Sequence, residues 1–222
     1  MSSQALIIGA TGLCGSAFVK YAAKDPSLKE VLTISRRGLN DNYGGNIRSL
    51  VLEDSTAWPA AIPENFDVLF SGLATTRGEA GKENFHKVDY DMNLQLAKSA
   101  KEKGYSTYVL VSSTGANANS MFYYMKTKGE LERDILALGF ERTIILRPGP
   151  LLGERKKSKG FLNDLSSKIG SVVYRTRFQS FFGSPVYGEE VGKVGVRLAL
   201  DASNTAKVKI VESAEILRLA EE

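Results

Sequence analysis

Short apolar runs alternate along the chain with longer stretches in which apolar positions recur every three or four residues. The short runs predict strands at 5–9 (ALIIG), 30–35 (EVLTIS), 47–52 (IRSLVL), 67–72 (DVLFSG), 107–112 (TYVLVS), 142–147 (RTIILR) and 207–211 (KVKIV). The longer stretches predict helices at 13–24, 84–103, 120–138, 188–201 and 213–221. Strands rich in Val, Ile and Leu without polar alternation are buried on both faces, as in a parallel sheet covered by helices. Their alternation with helices predicts an α/β fold: a doubly wound parallel sheet with helices on both faces. Residues 1–222 read as a single domain without repeats, low-complexity segments or linkers. Residues 153–185 follow neither period. They mix basic residues, glycine and aromatics, which predicts a small, partly irregular, cap-like segment on the substrate side.

Composition narrows this picture only a little. With 222 residues, the chain suffices for one sizeable α/β domain. Its hydrophobic share of 43% and charged share of 24% are those of a soluble globular protein. A net charge of +4 permits an anionic cofactor or a transient membrane contact, but it is no nucleic-acid footprint. Cys14 is the one cysteine, so no internal disulfide forms, which fits a reducing compartment. No apolar run approaches the roughly 18 residues of a membrane span. Arg36 is the first arginine and a strand begins almost at once, so neither a cleavable signal nor an Arg-rich transit peptide is expected.

The first predicted strand runs into Gly9-Ala10-Thr11-Gly12-Leu13-Cys14-Gly15, and a helix follows. A strand-to-helix turn without side chains lets a pyrophosphate reach backbone N–H groups, and the helix N-terminus favours its charge. Gly9, Thr11, Gly12, Leu13, Cys14 and Gly15 are therefore candidate dinucleotide contacts, with Gly15 also letting the helix pack on the strand. The alternative is a purely structural turn. For Cys14, a small residue near the turn is the plainer reading. An NAD site places a carboxylate at the end of the second strand. That strand ends here in Ser35-Arg36-Arg37, a hydroxyl and two guanidiniums that suit the 2′-phosphate of NADP(H). The competing view leaves both arginines as a solvated strand end. Asp54 and Ser55, after the third strand, stand where an adenine amino group is met. Leu73 and Ala74, after the fourth, fall beside the ribose and pyrophosphate. Pro148, in the stiff turn RPGPLLGER after the sixth, falls at the nicotinamide end, or in a loop that simply ends the strand.

The chemistry concentrates after the fifth strand, in VLVSSTGANANSMFYYMKTKGELERD. Tyr124 and Lys128 are spaced YxxxK, so they share a helix face, and Tyr124 falls 11 residues after Ser113. Ser112 and Ser113 sit at the carboxyl end of the strand, where open α/β sheets place their ligands. A tyrosine beside an ammonium exchanges a proton with a carbinol or carbonyl oxygen, and a serine hydroxyl steadies the developing oxyanion. YxxxK alone arises by chance in a chain of this composition, and a core tyrosine with a surface lysine is the plain alternative. His86, the single histidine, has no partners at metal-ligand spacing, so no metal site is expected.

These pieces together resemble the short-chain dehydrogenase/reductase superfamily, in its atypical and extended-like branch, over nearly the whole chain. The strings GATGLCG, LATTR, YMKTKGELERD, ILRPGPLLGER and PVYGEEVGKVG are similar to a small fungal group of that branch found in the mitochondrial proteome. That group is related to the human Tat-interacting oxidoreductase-like tumour suppressor. The resemblance implies a Rossmann-type fold, NADP(H) binding and a catalytic Ser-Tyr-Lys set at Ser113, Tyr124 and Lys128. It also implies a peripheral place on the cytoplasmic side of the mitochondrial outer membrane. The basic run 154–159 (ERKKSK) is a candidate lipid contact or a solvated loop. Asp89 departs from the wider superfamily, where many members carry an asparagine that supports a proton relay.

Two functions follow from this reading. The first is an NADP(H)-dependent oxidoreductase acting on a small carbonyl or alcohol. The second is a redox-sensing NADPH-binding module, in which cofactor occupancy orders residues 153–185 and changes the affinity of a partner. Superfamily members often pair through the helices corresponding here to 84–103 and 120–138, so a homodimer and a monomer are both expected states.

Overall fold

The structure is a computed structural model and describes residues 3–39, 42–75, 77–153, 174–176, 179, 183–203 and 205–222. Its strands are β1 (Ser3–Ile8), β2 (Leu28–Ser35), β3 (Ile47–Val51), β4 (Val68–Ser71), β5 (Thr107–Val111), β6 (Arg142–Arg147), β7 (Leu151–Leu152), β8 (Val186–Tyr187) and β9 (Val208–Glu212). Its α-helices are α1 (Leu13–Ala22), α2 (Trp58–Ala61), α3 (Arg77–His86), α4 (Asn93–Glu102), α5 (Tyr123–Ala137), α6 (Gly188–Leu200) and α7 (Ser213–Glu221). Seven strands form one parallel sheet in the order β3-β2-β1-β4-β5-β6-β9, the doubly wound Rossmann arrangement. The order reverses direction between β1 and β4. That switch point is where such sheets bind ligands, at the carboxyl ends of their strands.

Each central strand sends alternate residues into two cores, which is why its sequence shows no polar alternation. Ala5 and Ile7 of β1 join Phe18, Val191 and Val194 beneath α1, α6 and α7. Leu6 and Ile8 join Leu96, Leu131 and Ile135 beneath α4 and α5. On the first face α1 and α6 meet almost backbone to backbone. A Cβ on Gly192 would lie 2.3 Å from the Cβ of Ala17.

The apolar runs place the strands of the sheet to within about two residues. The helices depart more. The stretch 84–103 is not one helix. It comprises α3, a π-helical turn over Lys87–Met92, and α4. Gly81 interrupts α3 with a φ of 74°. The stretch 120–138 becomes helical only at Tyr123, because Ser112–Phe122 forms a loop across the end of β5. The two-residue strands β7 and β8, which pair in parallel, carry too little pattern to be read from sequence. They bring Leu151 beside Val186, so the chain leaves the sheet near Gly153 and returns beside its exit. Most of the expected cap-like segment 153–185 lies outside the described residues, as does the basic run 154–159.

Candidate functional site

The glycine turn sits between β1 and α1, at the switch point. Gly9 adopts a φ of 78°, and a Cβ there would lie 2.6 Å from the carbonyl carbon of Gly72, after β4. A Cβ on Gly15 would lie 2.0 Å from the Gly9 oxygen. These two glycines are thus demanded by packing, since α1, β1 and β4 meet there by backbone alone. Gly12 is different. It is exposed, and a Cβ would come no nearer than 3.3 Å to the Gly9 oxygen. Gly12 also N-caps α1 without any side-chain cap, and no acidic residue lies in the first turn. The helix therefore presents backbone N–H groups to solvent at its positive end, with room for an anion to approach. Leu13 and Cys14 offer that anion backbone only. The Leu13 side chain lies against Gly153 and Gly188, and Cys14 is buried in the core. Thr11 is half-buried beside them.

At the end of β2, Arg36 and Arg37 are exposed, and among the described residues neither has a carboxylate partner. Ser35 is buried and its hydroxyl donates to the Arg37 carbonyl at 2.6 Å. It shapes the turn that carries the two guanidiniums. Asp54 caps the short 3-10 turn Ser55–Ala57. Its Oδ1 accepts from the Thr56 N–H at 2.9 Å and the Thr56 hydroxyl at 2.7 Å, which holds the carboxyl below its ordinary range. The Leu73 carbonyl accepts from Asn93 Nδ2 at 3.1 Å, and Ala74 beside it is exposed. Pro148 is buried, with its carbonyl taking the Thr114 N–H at 2.9 Å.

Ser113 leaves the end of β5 half-buried, its hydroxyl in only a long 3.4 Å contact with the Thr114 carbonyl. Thr114 pins this loop to β6 by donating its hydroxyl to the Arg147 carbonyl at 2.9 Å. The loop then crosses α5 directly. The Asn117 N–H donates to the Met125 carbonyl at 3.0 Å, and a Cβ on Gly129 would lie 2.1 Å from the Ala118 nitrogen. The segment carrying Ser113 therefore rests on the first turns of α5, where Tyr124 and Lys128 lie. Tyr124 is half-buried, with its ring 5.4 Å from that of Phe85, which is fully buried.

Lys128 is 2% exposed, and its Nζ meets Asp89 Oδ1 at 2.6 Å. The other Asp89 oxygen accepts the Thr75 N–H at 2.7 Å. Burial alone would push the Lys128 ammonium down, but Asp89, Tyr124 and Glu132 outweigh it, and its pKa lies above the ordinary lysine value. Asn93, one turn after Asp89, is also fully buried. It accepts from the Ser71 hydroxyl at 2.6 Å and donates to the Leu73 and Val88 carbonyls. The π-helical turn widens this helix at a site where polar side chains enter the core, a common use of such turns. Sequence reasoning missed Thr75, Phe85 and Asn93. Only Asn93 left a signal, as a second polar residue four positions after Asp89 on a stripe that continues through Ala97.

Among the described residues no group of three His, Cys, Asp or Glu side chains is placed to hold a metal. A cleft of about 520 Å³ runs along α1 past Leu13, Lys20, Tyr43 and Gly153. It reaches Leu13 at the start of α1 and holds none of the Ser-Tyr-Lys set.

Comparison with known proteins agrees with this architecture. The sequence profile of the HIM1 family matches residues 64–178. Protein FMP52, mitochondrial, of Kluyveromyces lactis is 56% identical over 222 residues, covering 99% of both chains. Its counterpart from Saccharomyces cerevisiae is 51% identical, covering 97% of this chain and 95% of its own. Among solved structures, a UDP-N-acetylglucosamine 4-epimerase from Methanobrevibacter ruminantium superposes with a TM-score of 0.70 at 18% identity, over 100% of this chain and 81% of its own. MoeE5 in complex with UDP-glucuronic acid and NAD gives 0.70 at 17% identity, over 99% and 82%. A short chain dehydrogenase family protein from Francisella tularensis gives 0.67 at 14% identity, over 98% and 100%. At these identities the structural likenesses establish the fold.

Proposed function

The chain belongs to the HIM1 family, alongside the FMP52 proteins, and from that premise we propose that it is an NADP(H)-dependent oxidoreductase of the short-chain dehydrogenase/reductase type. The observation that carries the reading is the corner where the Ser113 loop crosses α5, with Tyr124 one helical turn from the buried ammonium of Lys128. The NAD named with MoeE5 supports a nicotinamide cofactor. Arg36 and Arg37, exposed at the end of β2 and unpaired among the described residues, favour NADP(H) over NAD(H).

Gly12, with the backbone of Thr11, Leu13, Cys14 and Gly15, would hold the pyrophosphate. Arg36 and Arg37 would hold the 2′-phosphate. Asp54, Ser55, Leu73, Ala74 and Pro148 would border the adenosine and nicotinamide ends. When bound, the cofactor supplies or accepts a hydride at a substrate carbon. The protein handles the accompanying proton. Tyr124 gives it to the carbonyl oxygen in reduction, or takes it from the carbinol in oxidation. Lys128 presents fixed positive charge beneath Tyr124, and Ser113 donates a hydrogen bond to the reacting oxygen. The substrate is a small carbonyl or alcohol. The protein works as a monomer or homodimer, on the cytoplasmic side of mitochondria and peripherally on the outer membrane, in line with the mitochondrial names of its relatives.

A second reading, NADPH binding with little turnover, draws on Asp89. Its carboxylate already engages the ammonium that would otherwise serve Tyr124 and the ribose. One experiment separates the two. Purified protein is titrated with NADPH and screened for NADPH-dependent reduction of carbonyl compounds, alongside Tyr124→Phe. Turnover abolished in Tyr124→Phe with NADPH binding retained supports the enzyme. Binding without turnover favours the second reading, and no nucleotide binding sinks both.

A further inference from the structure

We propose that the turn carrying Met121 and Phe122 is a wedge that docks the protein on an anionic phospholipid bilayer. Met121 is 99% exposed and Phe122 78%, the two most exposed large hydrophobic side chains among the described residues. A loose chain does not explain their exposure. The Ser120 N–H donates to the Asn117 carbonyl at 2.9 Å, the Asn119 N–H to Asn117 Oδ1 at 2.9 Å, and the Phe122 N–H to Ser120 Oγ at 3.1 Å. A closed set of turn bonds thus holds both side chains out in water. The cost of leaving large apolar groups in water is recovered only when something covers them.

The groups behind the tip indicate what covers it. Tyr123 follows Phe122, and the Lys82 ammonium lies 4.7 Å from the centre of its ring. Lys126 sits one helical turn below Phe122, half exposed, in a loose 3.9 Å pair with Glu130. Along the chain from the tip come thioether and phenyl, then phenol, then ammonium. Side chains enter a bilayer in that order, with apolar groups in the acyl boundary, aromatic hydroxyls at the headgroups and lysines reaching lipid phosphate. A protein partner would need a cavity shaped to two protruding side chains, whereas acyl chains deform around them. The two lysines complement anionic headgroups. No described helix is long and apolar enough to cross a membrane, so attachment among these residues would come from the surface.

This inference rests on the peripheral-membrane part of the proposed function and is independent of its nucleotide part.

The test is flotation of the full chain, without nucleotide, on vesicles of phosphatidylcholine with and without an anionic phospholipid. Wild type is expected to float with the anionic vesicles. Met121→Ser with Phe122→Ser is expected to weaken binding by roughly tenfold or more at an unchanged melting temperature and NADPH affinity. Lys82→Gln with Lys126→Gln is expected to remove the preference for anionic lipid. Phe122→Trp is expected to give a blue-shifted emission on the anionic vesicles alone. A serine variant that floats like wild type overturns the wedge and leaves membrane attachment to another surface. Wild type that binds no vesicle overturns both the wedge and the peripheral-membrane reading, and a partner protein lost with the tip would then be the alternative. Equal binding to neutral and anionic vesicles overturns the role of the lysines.

Discussion

Asp89 meets Lys128 at 2.6 Å with both side chains shut off from solvent, one on the π-helical turn and the other on α5. The pair ties three pieces of the site together, because the same carboxylate takes the Thr75 N–H after β4. Breaking a buried pair from one side strands the other charge. Asp89→Ala is expected to cost about 3–5 kcal/mol, with Asp89→Asn milder because its amide oxygen still accepts from Thr75. Lys128→Met with Asp89→Ala is expected to cost clearly less than the two single changes summed. Urea unfolding of the four variants checks this. Additive single effects would show that the two charges are not coupled.

The glycine turn predicts a separation of stability from binding. Gly15→Ala drives a methyl group to 2.0 Å from the Gly9 oxygen, where only backbone can give way. Its cost is expected at about 3 kcal/mol or more, the upper range for overpacking. Gly12→Ala meets its nearest atom at 3.3 Å and is expected to fold within about 1 kcal/mol of wild type. It nevertheless places a methyl group where the pyrophosphate must approach, so NADPH affinity is expected to fall at least about tenfold. Thermal melts and calorimetric titration of both variants decide the matter. Gly12→Ala with unchanged NADPH affinity would remove the turn from the cofactor site.

The difference between those two glycines also marks the limit of what the sequence discloses. The strands were legible because both faces of each are buried, so apolar residues run unbroken through Ala5–Ile8 and Val109–Val111. The glycine spacing located the turn, yet only the closeness of Gly72, 63 positions after Gly9, distinguishes packing glycines from the open one. Tyr124 and Lys128 were visible from helical spacing. Asp89 was visible only as a residue of unusual type, since its partner lies on another helix. Phe85 and Thr75 act through packing and a backbone N–H, and neither leaves a pattern in the chain. The helix boundary at Tyr123 was hidden because the loop before it is held by side chains, among them Ser120 and Asn117, that helices also tolerate.

Alkaline pH is expected to destabilise the fold. Tyr90 donates to Asp134 Oδ2 at 2.5 Å, and this hydrogen bond, with burial and the charge of Asp134, pushes the phenol up to about 12. Lys128 also lies above its ordinary 10.5, and Tyr105 and Tyr108 are pushed up by burial. In the unfolded chain these groups lose their protons near their ordinary values, whereas the folded chain keeps them. Above about pH 10 the folded state therefore binds more protons than the unfolded state, and stability falls as pH rises. The contribution of Tyr90 is complete below about pH 10 and is gone once pH passes its folded value. Urea midpoints between about pH 8 and 11 should be level at first and then decline. Tyr90→Phe should remove part of that decline, and a curve identical to wild type would show that Tyr90 titrates normally.

Arg36 and Arg37 give the cofactor preference a quantitative test. A guanidinium on a phosphate contributes about 1.5–3 kcal/mol as a charged hydrogen bond, roughly tenfold to a hundredfold in affinity. Each single alanine variant is expected to weaken NADPH by about tenfold, and the double variant by about a hundredfold or more. NADH lacks the 2′-phosphate, so its affinity is expected to change by no more than about twofold. Both arginines are exposed and, among the described residues, unpaired, so neither replacement strands a described buried partner, and melting temperatures should stay level. Added salt should weaken NADPH binding to wild type more than to the double variant, because ions screen a charge contact made at the exposed strand end. Equal losses for both nucleotides would place the arginines on the shared part of the cofactor. No loss for either would leave them as a solvated strand end.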